Sequence, residues 1–583
     1  MKLIAILFIL ATLTSSSQAQ DLSKEITVEK EIVPQHINVS RINLTPEVTL
    51  KPITNHNLPY SNQSIATPPQ ALIATLEPAR HAVDIFDAEH RGYLSLGYFP
   101  TYNTALSAGY KILGTQSTDL NAWLQYNGRI YNGNTLLFDQ ELTMRDHTAM
   151  LGVNLKQRLS HSTTLNAAID YTLSRFNSPQ LHYHALDANW EASHYQTVNN
   201  VNISAGITTA INQWDCQLQL AAEHFGYASE GYILSNLRPY PTNTTPSLFS
   251  PARENKFSIY ASAATKINDI SAFGINLDIA HLNYNKSHQL SFNENSFPNG
   301  IRPKSSPDYG LISINPHYEI SAGTIHTRIG AQVGIAINDG KSISIAPDIE
   351  ADWTPSQLFS IYAQMGGGEW INTLSYLWNI NHHTSPSMVY SHSSLPFTFD
   401  AGIVIGQWKG ATAKLYAGYA SAKDWLMPSF YNATSLFTPI DLKGWKLGAE
   451  ISYRYRDIAS IKLQYETAPQ KYNRGNYLWH DRAKNVFNAS LLITPMPKLD
   501  ITVDYELRNK RCIFGFGTTD SENIFSVYNL GDIDRFNITG LYRYTSHLSF
   551  FARFENLLNN HCYLISALPD QGFTALLGAT YKF

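Results

Sequence analysis

Apolar and polar side chains alternate along this chain from about residue 91 to its last residue. In segment 499–508 one face of an extended strand is apolar, and it holds Leu499, Ile501, Val503, Tyr505 and Leu507. The opposite face is polar, and it holds Asp500, Thr502, Asp504, Glu506 and Arg508. Because successive side chains of a strand project to opposite faces, the pattern predicts strands with one apolar and one polar surface.

The same division recurs often enough to predict about twenty-two strands. They are expected at 92–100, 102–113, 120–131, 145–158, 162–176, 197–213, 214–228, 254–268, 270–285, 310–321, 323–337, 340–355, 358–371, 395–408, 411–424, 442–456, 458–470, 482–496, 499–509, 531–545, 547–557 and 571–583. No amphipathic helical stretch is long enough to cover so many apolar faces. A closed barrel in a bilayer needs no such cover, because lipid wets its outer wall and closure leaves no unpaired edge. The predicted fold class is therefore all-β, a transmembrane antiparallel β-barrel.

The connections indicate where this barrel lies. Those after even-numbered strands are tight, as in the sequences IND, SAGT and KGA, whereas several after odd-numbered strands are long, as at 230–253, 285–308, 372–395 and 511–532. Bacterial outer-membrane barrels have an even strand number, short periplasmic turns and long outside loops. We therefore expect the cell outer membrane and its lipid, with both termini in the periplasm.

Three segments are predicted along the chain. Residues 1–19 have a basic start, an apolar run and small residues before Gln20, as a signal peptide does. Residues 20–90 contain seven prolines and no glycine, so we expect a proline-rich periplasmic arm or lumen occluder, with one short helix at 79–90. Residues 91–583 form the barrel. After the signal peptide no uninterrupted apolar run reaches about 18 residues, the length typical of a membrane helix.

Composition excludes one class of partner. Charged residues make up 15% of the chain, aromatic residues 12%, and the formal net charge is −4 without a basic tract. Nucleic acid is not expected to bind, because it requires clustered Lys and Arg.

The polar faces of the strands are expected to line the lumen. We assign to this lumen-facing polar wall Lys446, Glu450, Arg454, Arg456, Asp500, Asp504, Glu506 and Arg508. Acids and bases recur together from strand to strand, as on a solvated or plug-contacting wall, and no grouping of Ser, His and acid stands out. The protein is therefore not expected to be an enzyme, and no catalytic residue, cofactor or metal is assigned.

The predicted loops contain smaller candidates. His382, His383 and His392 share one loop without a carboxylate or thiol at ligand spacing, which favours exposed loop histidines over a metal site. A disulfide between Cys512 and Cys562 is one possibility, and unpaired apolar cysteines are the other. The loop aromatics are candidates for contact with glycans or a surface lipoprotein, and they include Tyr376, Trp378, Tyr431 and Phe437.

The chain ends with the strand FTALLGATYKF, in which Tyr581 and Phe583 are expected at the periplasmic aromatic girdle, facing lipid. A terminal Phe on such a strand resembles the signal of outer-membrane barrels that the barrel assembly machinery reads. The resemblance implies that machinery as a partner.

Segment 553–583 also resembles the C-terminal end of TonB-dependent receptors. The matching positions are Phe554, Asn556, Leu557, Leu558, Asn559, Tyr563, Pro569, Gly572 and Phe583. The resemblance implies solute uptake across the outer membrane. The chain departs from the family at Phe573, where an Arg often follows the loop glycine, and in its short arm, where the family has a long glycine-rich plug domain. Segment 25–34 is faintly similar to the box that contacts TonB, so the sequence leaves TonB open as a partner.

Two functions remain open. The barrel size and the C-terminal hairpin favour a transporter, whereas the short arm favours a non-transporting scaffold subunit of an outer-membrane protein complex. So wide a lumen needs an occluder, which is the arm, an inward-folded loop or a separate protein.

Overall fold

The computed structural model describes residues 90–583 except 101, 137–138, 140, 178–194, 229–230, 233–247, 250–251, 285–307, 339–341, 386–390, 432–433, 469–482 and 520–521. The expected signal peptide, nearly all of the arm at 20–90 and the helix at 79–90 lie outside these residues. Within the described residues no helix has the length and apolar character needed to cross a membrane.

Twenty-two strands of the described part form one closed antiparallel barrel. The first eleven are β1 (Gly92–Phe99), β2 (Asn103–Gly114), β3 (Thr118–Asn134), β4 (Glu141–Arg158), β5 (Thr163–Asn177), β6 (Tyr195–Ile211), β7 (Trp214–Tyr227), β10 (Arg253–Asn268), β11 (Ser271–Tyr284), β12 (Asp308–Ala322) and β13 (Ile325–Ile337). The others are β14 (Ser344–Ser356), β15 (Phe359–Trp370), β16 (Ser393–Trp408), β17 (Ala411–Tyr431), β18 (Thr434–Tyr455), β19 (Ala459–Thr467), β20 (Asn485–Met496), β21 (Leu499–Asn509), β24 (Ile533–Arg543), β25 (Leu548–Glu555) and β26 (Thr574–Lys582). The barrel closes between β1 and β26, where Tyr93 lies opposite Lys582 and Tyr98 opposite Leu577. The fold predicted from the alternation is confirmed.

The long connections contain elements that the alternation did not predict. Two short strands of two residues each, β8 (Gly231–Tyr232) and β9 (Leu248–Phe249), pair antiparallel, and so do the longer strands β22 (Cys512–Thr519) and β23 (Glu522–Asn529). Strand β22 also runs parallel to the end of β17, with Ser429 opposite Phe514. One helix, α1 (Leu374–Ile380), lies between β15 and β16.

Short turns connect neighbouring strands at the opposite end of the barrel. The turn at 409–410 has a positive φ at both residues, 51° at Lys409 and 89° at Gly410, as a two-residue type I′ hairpin turn requires. A Cβ at Gly410 would collide with the carbonyl oxygen of Arg454, so a larger residue has no room there. By the rule for outer-membrane barrels this end is periplasmic, and the long connections are extracellular.

The outer wall of the barrel is apolar along its strands. Large side chains that face outward and are exposed include Leu94, Leu96, Ile203, Leu220, Ile329, Leu415, Leu447, Ile451 and Leu577. In water such a surface would be costly, and in a bilayer it contacts hydrocarbon. The structure thus has the apolar band of an outer-membrane barrel.

Strands β17 and β18 extend well past the predicted ranges 411–424 and 442–456. They contain 21 and 22 residues, whereas about 9–11 residues of a tilted strand cross a bilayer. Their outer ends therefore stand beyond the membrane as a ribbon.

Candidate functional site

Ion pairs hold the charged side chains of the inner wall in place. The pairs are Lys446 with Asp400 (3.4 Å), Lys462 with Glu450 (3.1 Å), Arg543 with Asp500 (2.6 Å) and Arg508 with Glu506 (2.8 Å). Asp504 instead accepts a hydrogen bond of 2.6 Å from the Ser490 hydroxyl. The wall is therefore polar and its charges largely compensate each other.

Six of the eight residues assigned to this wall from the sequence take part in these contacts. Arg454 is exposed near the periplasmic end of β18. Arg456 lies outside the strand, because the chain turns directly after Tyr455 and Arg456 takes a φ of 50°. The periodicity of the strand had included it because the turn has no Gly or Pro to mark it.

The connection between β15 and β16 folds into the barrel. We call its described residues, 371–385 and 391–392, the folded-in loop. Helix α1 begins after Thr373, whose hydroxyl accepts a hydrogen bond of 3.1 Å from the backbone N–H of Tyr376. Ser, Thr, Asp and Asn are favoured at this position because their side chains accept from a helix N–H that otherwise has no partner.

Polar contacts fasten the folded-in loop to the wall on two sides. Both carboxylate oxygens of Glu254, on β10, accept from the backbone N–H of Leu374, at 3.1 and 3.0 Å. At the other end of the helix, Asn381 Nδ2 donates to the Ser435 hydroxyl of β18 at 2.7 Å. The loop therefore crosses the extracellular mouth between distant strands.

Two apolar clusters fill the space around α1. The first, which we call the inner cluster, joins Leu374 and Trp378 to inward-facing residues of β5, β6, β7, β11 and β12, namely Phe176, Val198, Phe225, Tyr227, Leu282, Tyr284 and Tyr309. The second, the rim cluster, joins Leu377 and Ile380 to Leu426, Phe430, Phe437, Ile513, Leu530, Ile565 and Ala567. Leu377 is 1% exposed and Phe437 is 0% exposed, so α1 is held in a packed apolar core at the extracellular mouth.

Below α1, the two loop histidines face an ion pair of the wall. Arg129 Nη2 lies 2.9 Å from Asp146 Oδ2, and these residues together with His382 and His383 line a cavity of about 20 Å³. Burial lowers the pKa of His383 to about 3, and it also lowers the pKa of His382. The loop thus contains a buried histidine that is neutral at physiological pH.

The connection at 556–573, the last loop, owes its shape to the residues that carry the sequence resemblance. Asn556 and Asn559 take positive φ values of 51° and 49°, which Asn tolerates better than most residues. Asn556 Nδ2 donates to the carbonyl oxygens of Asn560 and Gln571, at 2.9 and 3.2 Å. Asn559 Oδ1 accepts from the N–H of Phe573 at 2.9 Å, which returns the chain into β26.

One prediction about the loops was wrong, and two of the aromatic candidates do not lie on an outer surface. His383 and His392 are buried, because they pack between the folded-in loop and the barrel wall, whereas the sequence favoured exposed histidines. Trp378 and Phe437 are also buried, so they do not offer an outer surface to a glycan or a lipoprotein. The apolar run at 370–380 was the available clue, since loops exposed to water rarely carry one.

Cys512 and Cys562 both border the segment 529–531. The structure contains both as thiols, and a disulfide between them stays one of the two possibilities that the sequence left open. Tyr581 and Phe583 point outward at the periplasmic end, with 51% and 50% of their surface exposed. Their role in assembly stays a prediction.

No family model and no curated protein matches this sequence. Solved structures match the fold. The ferric enterobactin receptor PfeA of Pseudomonas aeruginosa, in complex with enterobactin, matches with a TM-score of 0.62 and 10% identity over 85% of this chain and 81% of that chain. The siderophore receptor PirA of Acinetobacter baumannii matches with a TM-score of 0.61 and 10% identity over 85% and 80% of the two chains.

This chain has the 22-strand barrel fold of these outer-membrane receptors. A further receptor of this type, FpvA of P. aeruginosa bound to heterologous pyoverdines, matches with a TM-score of 0.58 and 12% identity over 85% of this chain and 72% of that chain. At such identities the similarity shows the receptor-like barrel and leaves its ligand to be argued from the residues.

Proposed function

We propose that this receptor-like barrel works in solute uptake across the outer membrane, with the folded-in loop as its extracellular gate. The observation that carries the proposal is the arrangement of the lumen, in which a polar wall lies beneath the folded-in loop, and this loop packs at the extracellular mouth against β22 and the last loop. A polar wall suits the passage of water-soluble molecules. The loop is joined to the wall by the chain only at its two ends, after Trp370 and before Ser393. It can therefore move without unpairing a strand of the barrel.

Receptors with this barrel also support uptake. PfeA is a receptor that holds enterobactin, and FpvA is one that binds pyoverdines. For the present chain we propose only the class of function, movement of a solute inward through the lumen. TonB, the barrel assembly machinery and a surface lipoprotein stay predictions from the sequence.

A second candidate is the non-transporting scaffold. It is favoured by the apolar contacts of the folded-in loop. Burying a Leu or Phe side chain contributes about 1.5–3 kcal/mol, and the inner and rim clusters each contain several such residues. A gate with so large a core would open only with a strong stimulus. A barrel closed permanently would serve to dock other envelope subunits.

A reversible cross-link separates the two candidates. The variant Asn381→Cys with Ser435→Cys places thiols where the side chains now form a 2.7 Å hydrogen bond. The control is Thr163→Cys with Thr209→Cys, which joins neighbouring strands β5 and β6 at the periplasmic end, where the hydroxyls lie 2.9 Å apart. Current through purified protein in a planar bilayer is recorded before and after oxidation.

Uptake predicts that the loop variant conducts when reduced and falls silent when oxidised, while the control conducts in both states. Silence of the reduced loop variant and of the wild-type protein, together with fixed partners after purification from the native envelope, would replace uptake by the scaffold. If oxidation of the loop variant leaves the current unchanged, the folded-in loop is not the gate.

A further inference from the structure

A cavity of about 280 Å³ lies in the lumen below the last loop. Four neighbouring strands supply one side of it, and their register brings side chains into two rows. The row nearer the extracellular end consists of Gln464, Asn488, Glu506 and Arg535, on β19, β20, β21 and β24. The row nearer the periplasmic end consists of Lys462, Ser490, Asp504 and Asn537 on the same strands. Asp570 and Gln571 of the last loop and Arg129 of β3 line other sides.

The cations that line this cavity are already paired. Lys462 lies 3.1 Å from Glu450, Arg129 lies 2.9 Å from Asp146, and Arg535 forms an ion pair with Asp570. An anionic ligand would have to displace a carboxylate from one of these cations, and each displaced carboxylate would need a new partner. The cavity therefore disfavours a ligand that carries a formal negative charge.

Hydrogen-bonding groups outside the ion pairs remain available. Among the described residues the side-chain amides of Asn488 and Gln571 form no hydrogen bond. Asn537 uses its carbonyl oxygen to accept from the Asn556 N–H at 2.8 Å, which leaves its NH₂ group over. Asp504 uses Oδ1 toward Ser490, which leaves Oδ2 over.

This remaining set contains both donors and acceptors. Amide groups donate and accept, and a carboxylate oxygen accepts only. A hydroxyl group is the ligand group that meets both needs at once, because it donates one hydrogen and accepts on its oxygen. A volume of about 280 Å³ lies near the lower end of small-ligand sites, about 300–1,000 Å³, so the solute is small.

We infer that this cavity is a binding site for a small uncharged polyhydroxylated solute of the sugar or polyol class, held by Asn488, Asn537, Asp504 and Gln571. The inference deepens the proposed function and rests on it for its biological role, since the bound solute would be the one that passes through the lumen. Binding itself does not require the loop to open a conducting path.

The test measures binding to the purified full-length protein by equilibrium dialysis, in a detergent without a sugar headgroup. The probes are glucose, glucuronate and glucosamine, which share a ring and differ in charge. We expect glucose to bind more tightly than glucuronate, because the carboxylate of glucuronate would have to displace a carboxylate that is already paired with Lys462, Arg129 or Arg535. In Asn488→Leu, which keeps the approximate size of the side chain and removes its hydrogen-bonding groups, the affinity for glucose should fall about tenfold.

The matched control is Asn276→Leu, which makes the same change on the inward face of β11, outside the cavity. It should leave glucose affinity unchanged, and the shift of band position on heating, a standard readout of a folded barrel, should be the same for both variants. Absence of glucose binding, preference for a charged probe, or equal losses in the two variants would overturn the inference. Glucose binding without conduction would support the binding site and contradict the proposed uptake. Conduction without glucose binding would support uptake and contradict the binding site.

Discussion

Replacing Leu377 by Ala should loosen the folded-in loop. Leu377 is 1% exposed and packs in the rim cluster against residues of β17, β18, β22 and the last loop. Truncating a buried Leu costs about 2–5 kcal/mol, because the lost transfer free energy is joined by the cost of a cavity. If the open loop exposes this side chain, a cost of about 3 kcal/mol lowers the ratio of closed to open barrels by about two orders of magnitude.

Single-channel recording in a planar bilayer measures this ratio directly, as the fraction of time in which current flows. Leu415→Ala is the control, since Leu415 lies on β17 with 59% of its surface exposed on the lipid-facing wall. We expect rare openings in the wild-type protein and in Leu415→Ala, and frequent openings in Leu377→Ala. If Leu377→Ala opens as rarely as the control while its loop becomes sensitive to protease, the reasoning that the loop closes the lumen is refuted.

Three further changes test other parts of the structure. Glu254→Ala should raise protease cleavage of the folded-in loop, since it leaves the buried N–H of Leu374 unpaired at about 1–3 kcal/mol, whereas Glu254→Gln keeps one acceptor and should change little. Between about pH 7.5 and pH 5 the closed loop should lose about 2 kcal/mol, because His383 has a lowered pKa of about 3 when buried and binds a proton near its usual pKa of about 6.5 only when released. Hydrogen exchange of the loop should quicken over that range, and equal rates in His383→Gln and wild type would contradict this cause. Phe583→Ala should reduce the amount of folded barrel in the membrane, measured by heat-modifiable gel migration, whereas Phe550→Ala, another outward aromatic, should not.

The barrel could be predicted from the sequence because its rule is local. In β21, Asp500, Asp504 and Glu506 face inward and Leu499, Ile501 and Val503 face lipid, and nothing outside the strand is needed to see this. The lipid replaces a partner layer, so each strand carries its own evidence.

The packing of the folded-in loop in the inner and rim clusters could not be predicted in the same way. Leu377 and Trp378 look like ordinary loop residues until they meet Phe437 from β18 and Phe225 from β7, which are far away in sequence. The extension of β17 and β18 was missed for a related reason, since Pro428 and Pro439 are typical of loops. In the structure both occupy positions in the paired ribbon, opposite Phe437 and Leu426.

The cavity residues lie between these cases. The inward direction of Asp504 and Glu506 followed from the alternation, whereas their meeting with Asn488 and Asn537 depends on the register between strands. Register is set by pairing over the whole strand, and one sequence does not state it.

The composition of the inner cluster has a consequence for the order of events during biogenesis. Its members come from β5, β6, β7, β11 and β12, and α1, which packs on them, is encoded after all of these strands. The rim cluster also needs Ile565 and Ala567, close to the end of the chain. All parts of the inner cluster are therefore present once the chain reaches residue 380, whereas the rim cluster is incomplete until the last loop is in place. The two sides of α1 thus depend on different halves of the chain, and a truncation before Ile565 would leave the inner cluster intact and the rim cluster unfinished.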